Sequence, residues 1–244
     1  MDAMARIYPE IGLFGFSRDD QEMLYLNRVR AVLSPESRLL EFGAGRGRPA
    51  EKLTGRKRDL ADMRDACAEV CGVDVIPEVS ANPLLHEGRQ LEEDGTIPYP
   101  DATFDVVCSW AVFEHVSDAC VAASEIDRVL KPGGVVVGWT PNAFGYIAVG
   151  ARLVPQPLHG RVLSFLAPSR ESRDTFPAYY RMNTRKALRR LFPGDRYEHF
   201  SHFHKGAPAL HGNRMWLARL WQCLNHVAPP ALWPYLHVAM RKRR

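Results

Sequence analysis

Three glycines at alternate positions, Gly43, Gly45 and Gly47, follow a short apolar run at 39–42 that carries one acid, Glu41. Glycine has no Cβ, so this backbone can turn sharply and bring its N–H groups against a ligand. A dinucleotide fingerprint would put its third glycine at 48, where Arg48 stands, so the spacing here is G-x-G-x-G. Further on, Val70-Cys71-Gly72-Val73-Asp74-Val75 reads as a second apolar strand ending in a carboxylate. A carboxylate at that point can accept hydrogen bonds from both hydroxyls of a ribose. Its plainer use is to cap a helix. Loop and acid together favour a nucleoside. His115 offers an imidazole suited either to general base catalysis or to packing at a helix start. Tyr179, Tyr180 and Arg181 join aromatic faces to a guanidinium. That combination suits a sugar ring or phosphate, or equally pins an insertion to the core.

E-F-G-A-G-R-G at 41–47 resembles the nucleotide-binding loop of class I S-adenosylmethionine-dependent methyltransferases. I-P-Y-P-D-A-T-F-D-V-V at 97–107 is similar to that family's L-P-F/Y segment followed by S/T-F-D and a strand. R-V-L-K-P-G-G-V-V-V at 128–137 resembles its next helix, turn and strand. The resemblance covers residues 38–142, and the E-H-V element at 114–116 is common in the small-molecule, type 11-like branch. It implies S-adenosyl-L-methionine as cofactor, held by Glu41, Gly43, Ala44, Gly45, Gly47, Asp74 and Val75. Glu41 would support the loop and Asp74 would hold the ribose. An acid before the proline would meet the adenine amino group; Glu92, Glu93 and Asp94 compete for that role, and the reading places Glu93 and Asp94 there. Ser109 and Trp110 would line the reaction side, and His115 would be the base if one is used. Neither an Asx-Pro-Pro-Tyr element nor a suitably placed Pro-Cys pair occurs, which argues against amino methylation of adenine or glutamine and against covalent attack on a pyrimidine carbon.

These residues need elements to hold them. Strands and helices alternate from 38 to 140, which implies a parallel sheet with its ligand at the strand ends. The expected fold is α/β, Rossmann-like and of class I methyltransferase type: a mostly parallel seven-stranded sheet, helices on both faces and a C-terminal insertion or cap. One domain spans 1–244, divided into a helical lid (1–37), a cofactor-binding core (38–142) and a basic acceptor-side part (143–244). Residues 17–33 read as an amphipathic helix capped by Ser17. After the glycine loop, Gly55-Arg56-Lys57-Arg58 should interrupt the crossover before a second helical stretch at 59–69. A helix at 121–130 should stop at K-P-G-G before a strand at 135–137, and Thr140-Pro141-Asn142 should edge the pocket. An insertion fills 143–180, a helix at 184–192 begins at Asn183 or Thr184, and a last strand runs from 235 to 240.

Composition narrows the setting. The chain has 244 residues, 46% hydrophobic and 25% charged, and no apolar run of membrane-span length. Its N-terminus, M-D-A-M-A-R, carries no apolar segment of signal type, so the expected location is cytoplasmic. The 5 cysteines are scattered, and His199, His202 and His204 lack a carboxylate or thiol to complete a set, so no metal is expected. Residues 1–150 hold 15 Lys/Arg against 24 Asp/Glu, whereas residues 151–244 hold 17 against 4. A half this basic favours an anionic partner. The expected reaction is O-methylation of an anionic small molecule, sugar or lipid-linked glycan. The alternatives are an RNA methyltransferase and a protein that binds the cofactor without turnover. Trp216, Leu217, Leu220, Trp221 and Leu224 form a helix face that is either core or, with the tail Arg241-Lys242-Arg243-Arg244, a peripheral contact with an anionic membrane.

Overall fold

A computed structural model describes residues 2–154, 162, 165, 166 and 176–244. Its frame is one sheet of eight strands: β1 (Arg38–Phe42), β2 (Glu69–Asp74), β3 (Glu87–Gln90), β4 (Phe104–Trp110), β5 (Leu130–Pro141), β6 (Tyr197–His199), β7 (His202–His204) and β8 (Tyr235–Lys242). The order is β3-β2-β1-β4-β5-β8-β6, with β7 also on β8. The first five strands pair in parallel, and β8 runs antiparallel to β5, β6 and β7. β6 and β7 share one edge of β8, so the sheet has the seven expected positions with the last one broken at Phe200-Ser201. The central strands are apolar at consecutive residues because helices cover both faces.

One face packs against α3 (Gln21–Val32) and α5 (Gly55–Ala61) through Tyr25, Leu26, Val29 and Leu60. The other packs against α6 (Ala119–Val129) and α8 (Arg185–Leu191) through Ile126, Val129 and Leu188. Between these, α4 (Arg48–Lys52) opens the first crossover and α7 (Tyr146–Leu153) follows β5. A satellite cluster joins α1 (Ala3–Ile7) and α2 (Ile11–Phe14) to α9 (Met215–Val227) through Ile7, Tyr8, Ile11 and Ala218.

Several boundaries differ from the sequence reading, each for a local reason. α3 is capped by Asp20, which accepts from the amides of Glu22 and Met23, both at 3.0 Å; Ser17 starts a turn ahead of it. The crossover breaks at Leu53-Thr54, and Gly55-Arg56-Lys57-Arg58 begins the second helix. Lys57 ties that helix to α3 by pairing with Asp20 (2.6 Å) and Glu22 (2.9 Å). Glu69 opens β2 and does not close a helix. The K-P-G-G stop lies inside β5, where Phe104 faces Leu130 while Val106 already faces Val135. The strand absorbs the turn as an irregularity. β3 was not anticipated, since Glu87-Gly88-Arg89-Gln90 has neither β-branched residues nor alternation.

Candidate functional site

The glycine loop leaves β1 at its C-terminal end and is hung on β2, with the amides of Gly43 and Ala44 donating to Val73 O at 2.8 and 3.1 Å. Gly43, Gly45 and Gly47 all have positive φ (79°, 57° and 87°), the left-handed region that side chains avoid. A Cβ on Gly43 would lie 2.3 Å from Val112 Cγ2, and one on Gly47 would lie 2.6 Å from Asn82 Oδ1. At Gly45 the space is open: a Cβ there would meet only Asp74 Oδ2, at 3.9 Å.

Asp74 closes β2 beside this opening. Its Oδ2 accepts the Gly45 amide at 2.8 Å and its Oδ1 accepts the Ile76 amide at 3.2 Å. Burial raises its carboxyl above the usual range, against the lowering pull of those amides. The next side chain, Val75, is 63% exposed, an apolar surface left beside a carboxylate. Asn82, which sequence reasoning missed, locks the loop from behind by donating from Nδ2 to the carbonyls of Ala44 (3.0 Å) and Gly45 (3.3 Å). The Asn82-Pro83 pair is a turn signal, and nothing in it announces that partnership.

Glu41 lies in register between Gly72 and Cys108 at the end of β1. It borders a cavity of about 20 Å³ together with Tyr25, Cys108 and Trp110. Burial, and secondarily the charge of Asp74, push the Glu41 carboxyl up to about 7. Tyr25 roofs this space, its ring edge-on to Trp110 at 5.3 Å. Trp110 joins Glu41 in this way, but Ser109 points to the opposite face, buried with its Oγ lacking a hydrogen-bond partner among the described residues. Glu93 and Asp94 stand on an exposed turn past β3, where Asp94 accepts the Thr96 amide at 2.9 Å. The chain beside Asp74 is instead Gln90-Leu91: Leu91 N donates to Asp74 O and Gln90 Nε2 to Val75 O, both at 2.8 Å.

His115 and the Tyr179-Tyr180-Arg181 segment come together across the connection between β4 and α6. His115 Nδ1 is 2.8 Å from Pro177 O, and its ring packs edge-on against Phe176. The amides of Tyr179 and Tyr180 both donate to Glu114 O, at 2.7 and 3.2 Å. Arg181 donates to Ser117 O and lies over the Tyr179 ring. Beneath them runs a buried polar chain absent from the sequence reading: Asn183 Nδ2 donates to Thr140 Oγ1 (2.5 Å), which donates to Glu114 Oε2 (2.7 Å).

The histidines divide. His199 Nε2 meets Phe192 O at 2.7 Å, whereas His202 and His204 pack around His237 of β8. Burial and the neighbouring positive groups hold His237 down to about 2, and Arg28 Nη1 sits 2.8 Å from His202 Nε2. Among the described residues one group of metal-type donors converges, Glu69, Cys71 and Glu87, and its carboxylates are paired with Arg38 and Arg89. The basic tail is also committed internally: Arg241 and Arg243 reach Glu198, and Lys242 reaches Asp127. It leaves the far end of β8, ~25 Å along the strand from the end that adjoins α9, so tail and helix do not form one surface.

A mostly parallel sheet with a glycine turn after its first strand and a carboxylate after its second is the arrangement that nucleoside-binding α/β domains use. Residues 40–138 match the family described as Methyltransferase domain. The chain is 32% identical over 129 residues to a probable S-adenosylmethionine-dependent methyltransferase of Mycolicibacterium smegmatis, covering 52% of this chain and 46% of that protein. It is 30% identical over 155 residues to a ubiquinone biosynthesis O-methyltransferase of Xanthomonas campestris, covering 57% and 60%. The chain therefore spans about half the length of these curated relatives. The geranyl diphosphate C-methyltransferase of Streptomyces coelicolor, solved with Mg2+, geranyl diphosphate and S-adenosyl-L-homocysteine, has the same fold at a TM-score of 0.53 and 13% identity, covering 92% of this chain and 76% of that one.

Proposed function

We propose that the protein transfers the methyl group of S-adenosyl-L-methionine to an acceptor. The observation that carries this reading is the cradle between Gly45 and Asp74, open on one side, with Val75 exposed beside it. Asp74 has lone pairs left for ribose hydroxyls after serving two amides. Val75 offers an apolar face to the adenine, and the Gln90-Leu91 backbone stands nearer to it than Glu93 or Asp94 does. Glu41, facing the Tyr25–Trp110 roof, suits the cationic methionine end. The cofactor supplies an already activated methyl on a sulfonium. The chain's own work is to hold the acceptor in line with that methyl and keep water away.

The acceptor we infer is an anionic small molecule, a sugar or a lipid-linked glycan, methylated on oxygen. The basic second half of the chain supports this, as does the meeting of His115, Tyr179 and Arg181 at the strand ends. With Nδ1 donating to Pro177 O, His115 keeps the lone pair of Nε2 for use as a base. Calorimetric titration with S-adenosylmethionine and S-adenosylhomocysteine tests the donor half: micromolar binding is expected, and no binding would overturn it. Neutralising Arg181 and Arg185 tests the acceptor half, which fails if turnover stays unchanged.

A further inference from the structure

Four ring side chains form one row across the sheet. Trp110 of β4 faces Trp139 of β5, Trp139 faces His237 of β8, and His237 faces His202 of β7. Residues paired in this way share a face of the sheet, here the one that α3 covers. α3 meets the row at both ends: Tyr25 packs on Trp110 at 5.3 Å, and Arg28 Nη1 sits 2.8 Å from His202 Nε2. Tyr25 and Arg28 are three residues apart, so they lie on one side of the helix. Between the two ends, Trp139 Nε1 and His237 Nε2 are buried without a hydrogen-bond partner among the described residues. The His202 and His237 rings stack at 5.6 Å, and His204 stands edge-on to His237 at 5.1 Å.

The partners of His202 assign its protons. Its Nδ1 lies 3.3 Å from Phe200 O, which can only accept, and its Nε2 faces a guanidinium, which can only donate. Nδ1 therefore carries the hydrogen, Nε2 the lone pair, and the ring is neutral. A second proton would set an N–H of His202 against an N–H of Arg28 and turn the bond into repulsion between two cations. The surroundings do not absorb that charge. α8 brings Arg185, β7 brings His204 and β8 brings His237; among the described residues the acid facing the cluster is Asp19, beside His204, and it already accepts the Tyr8 hydroxyl at 2.8 Å. Burial above all, then Arg28 and Arg185, hold the His202 imidazole below its ordinary 6.5, against the pull of the Phe200 carbonyl. An unfolded chain takes up this proton at 6.5 and the folded one only below it, so the contact contributes fully above pH 6.5 and is lost as pH falls. Glu41, under the same helix, works in the opposite sense, because folding favours its protonated form. Leu26 and Val29 keep α3 itself in the core, so the parts free to respond are the roof and β7, three residues at the sheet edge.

We propose that Arg28 and His202 form an acid-sensitive latch: protonation of His202 drives Arg28 off, frees β7 from α3 and loosens the Tyr25 roof over Glu41, so that the donor is held less firmly in acid. The clause about the donor depends on the methyl-transfer reading; the latch does not. The test is amide hydrogen exchange of the whole chain without ligand, at about pH 7.5 and about pH 5.5, corrected for the intrinsic rate. In the wild type, protection of residues 21–28 and 202–206 should fall about tenfold or more at the lower pH relative to β1 and β2. His202→Gln keeps an acceptor for Arg28 without titrating, and the amide of Arg28→Gln can donate to the neutral ring or accept from the protonated one. Both variants should therefore stay protected at pH 7.5 and show a step of less than about threefold, whereas a merely structural contact would leave them loose at both pH values. If His202→Gln melts abnormally, Arg28→Gln carries the test. Equal relative protection of the wild type at both pH values overturns the proposal. So does a step that persists in both variants, or one shared by β1 and β2. Calorimetry with S-adenosylhomocysteine then compares the wild type with Arg28→Gln, which leaves Glu41 in place, and the fall in affinity with acid should be smaller in the variant. A wild type that binds S-adenosylhomocysteine but shows no exchange step defeats this inference alone. An exchange step without cofactor binding defeats the methyl-transfer reading and leaves the latch in place.

Discussion

Asp74 accepts the Gly45 amide at 2.8 Å, so the acid at the end of the second strand holds the loop that leaves the first. One carboxylate thus shapes the loop and faces the opening. Asp74→Asn keeps the size but halves the acceptor oxygens, leaving too few for Gly45, Ile76 and two hydroxyls. Donor affinity should fall roughly 10- to 100-fold, measured by calorimetry, with each lost charge-assisted bond contributing about 1.5–3 kcal/mol. An unchanged dissociation constant would remove Asp74 from the site.

Glu41 supplies a pH signature. Its folded carboxyl is raised to about 7 from 4.5 by burial, so folding favours its protonated form. The contribution to stability is most favourable below the unfolded pKa and is lost as pH rises from 4.5 to 7. Glu41→Gln should therefore stabilise the free protein at pH above 7, by at most roughly 3 kcal/mol. The same substitution should weaken the donor, because a cationic ligand needs the ionised form. In the wild type, donor affinity should decline below pH 7, with proton release detectable by titrating in buffers of different ionisation enthalpy. Identical stability curves for wild type and variant at pH 8 would contradict this account.

Gly43 faces two separate constraints, and they can be split. Gly43→Ala should destabilise by about 1–2 kcal/mol from its positive φ and by about 1–3 kcal/mol more from contact with Val112. Adding Val112→Ala should relieve only the second part. Urea unfolding of the four proteins of this cycle measures the coupling, and strict additivity would deny the contact.

Much of this site was legible because its chemistry is local. A glycine run after a strand and an acid ending the next strand are set by neighbours in the chain, and the structure brings Gly45 and Asp74 together. What escaped depends on distant partners. Tyr25 meets Trp110 across the sheet, Asn82 reaches back to Ala44, and His202 finds Arg28 at a separation of 174 residues. None of these pairings leaves a periodicity or spacing to read. The α3 cap shows the smaller failure: Ser17 and Asp20 are both good caps, and packing of the following turn decides between them. At the acidic turn 92–94, register along β3 sets Gln90-Leu91 beside Asp74 and leaves Glu93 and Asp94 further along the chain.

Thr140 connects the two halves of the chain. It bridges Glu114, after β4, to Asn183, on the segment that returns from the insertion, and all three are buried. Thr140→Val preserves shape but removes both hydrogen bonds, so it should cost about 1–3 kcal/mol, as buried polar groups lose a partner. The loss should be localised. Residues 179–183 are held to Glu114 and Thr140 at their two ends, so their amide exchange and proteolytic cleavage should accelerate while β1 and β2 stay protected. Donor affinity, set at the Gly45–Asp74 end, should change less than threefold, about 0.7 kcal/mol. Equal acceleration throughout the sheet would show instead that the bridge supports the whole fold and not the acceptor-side segment.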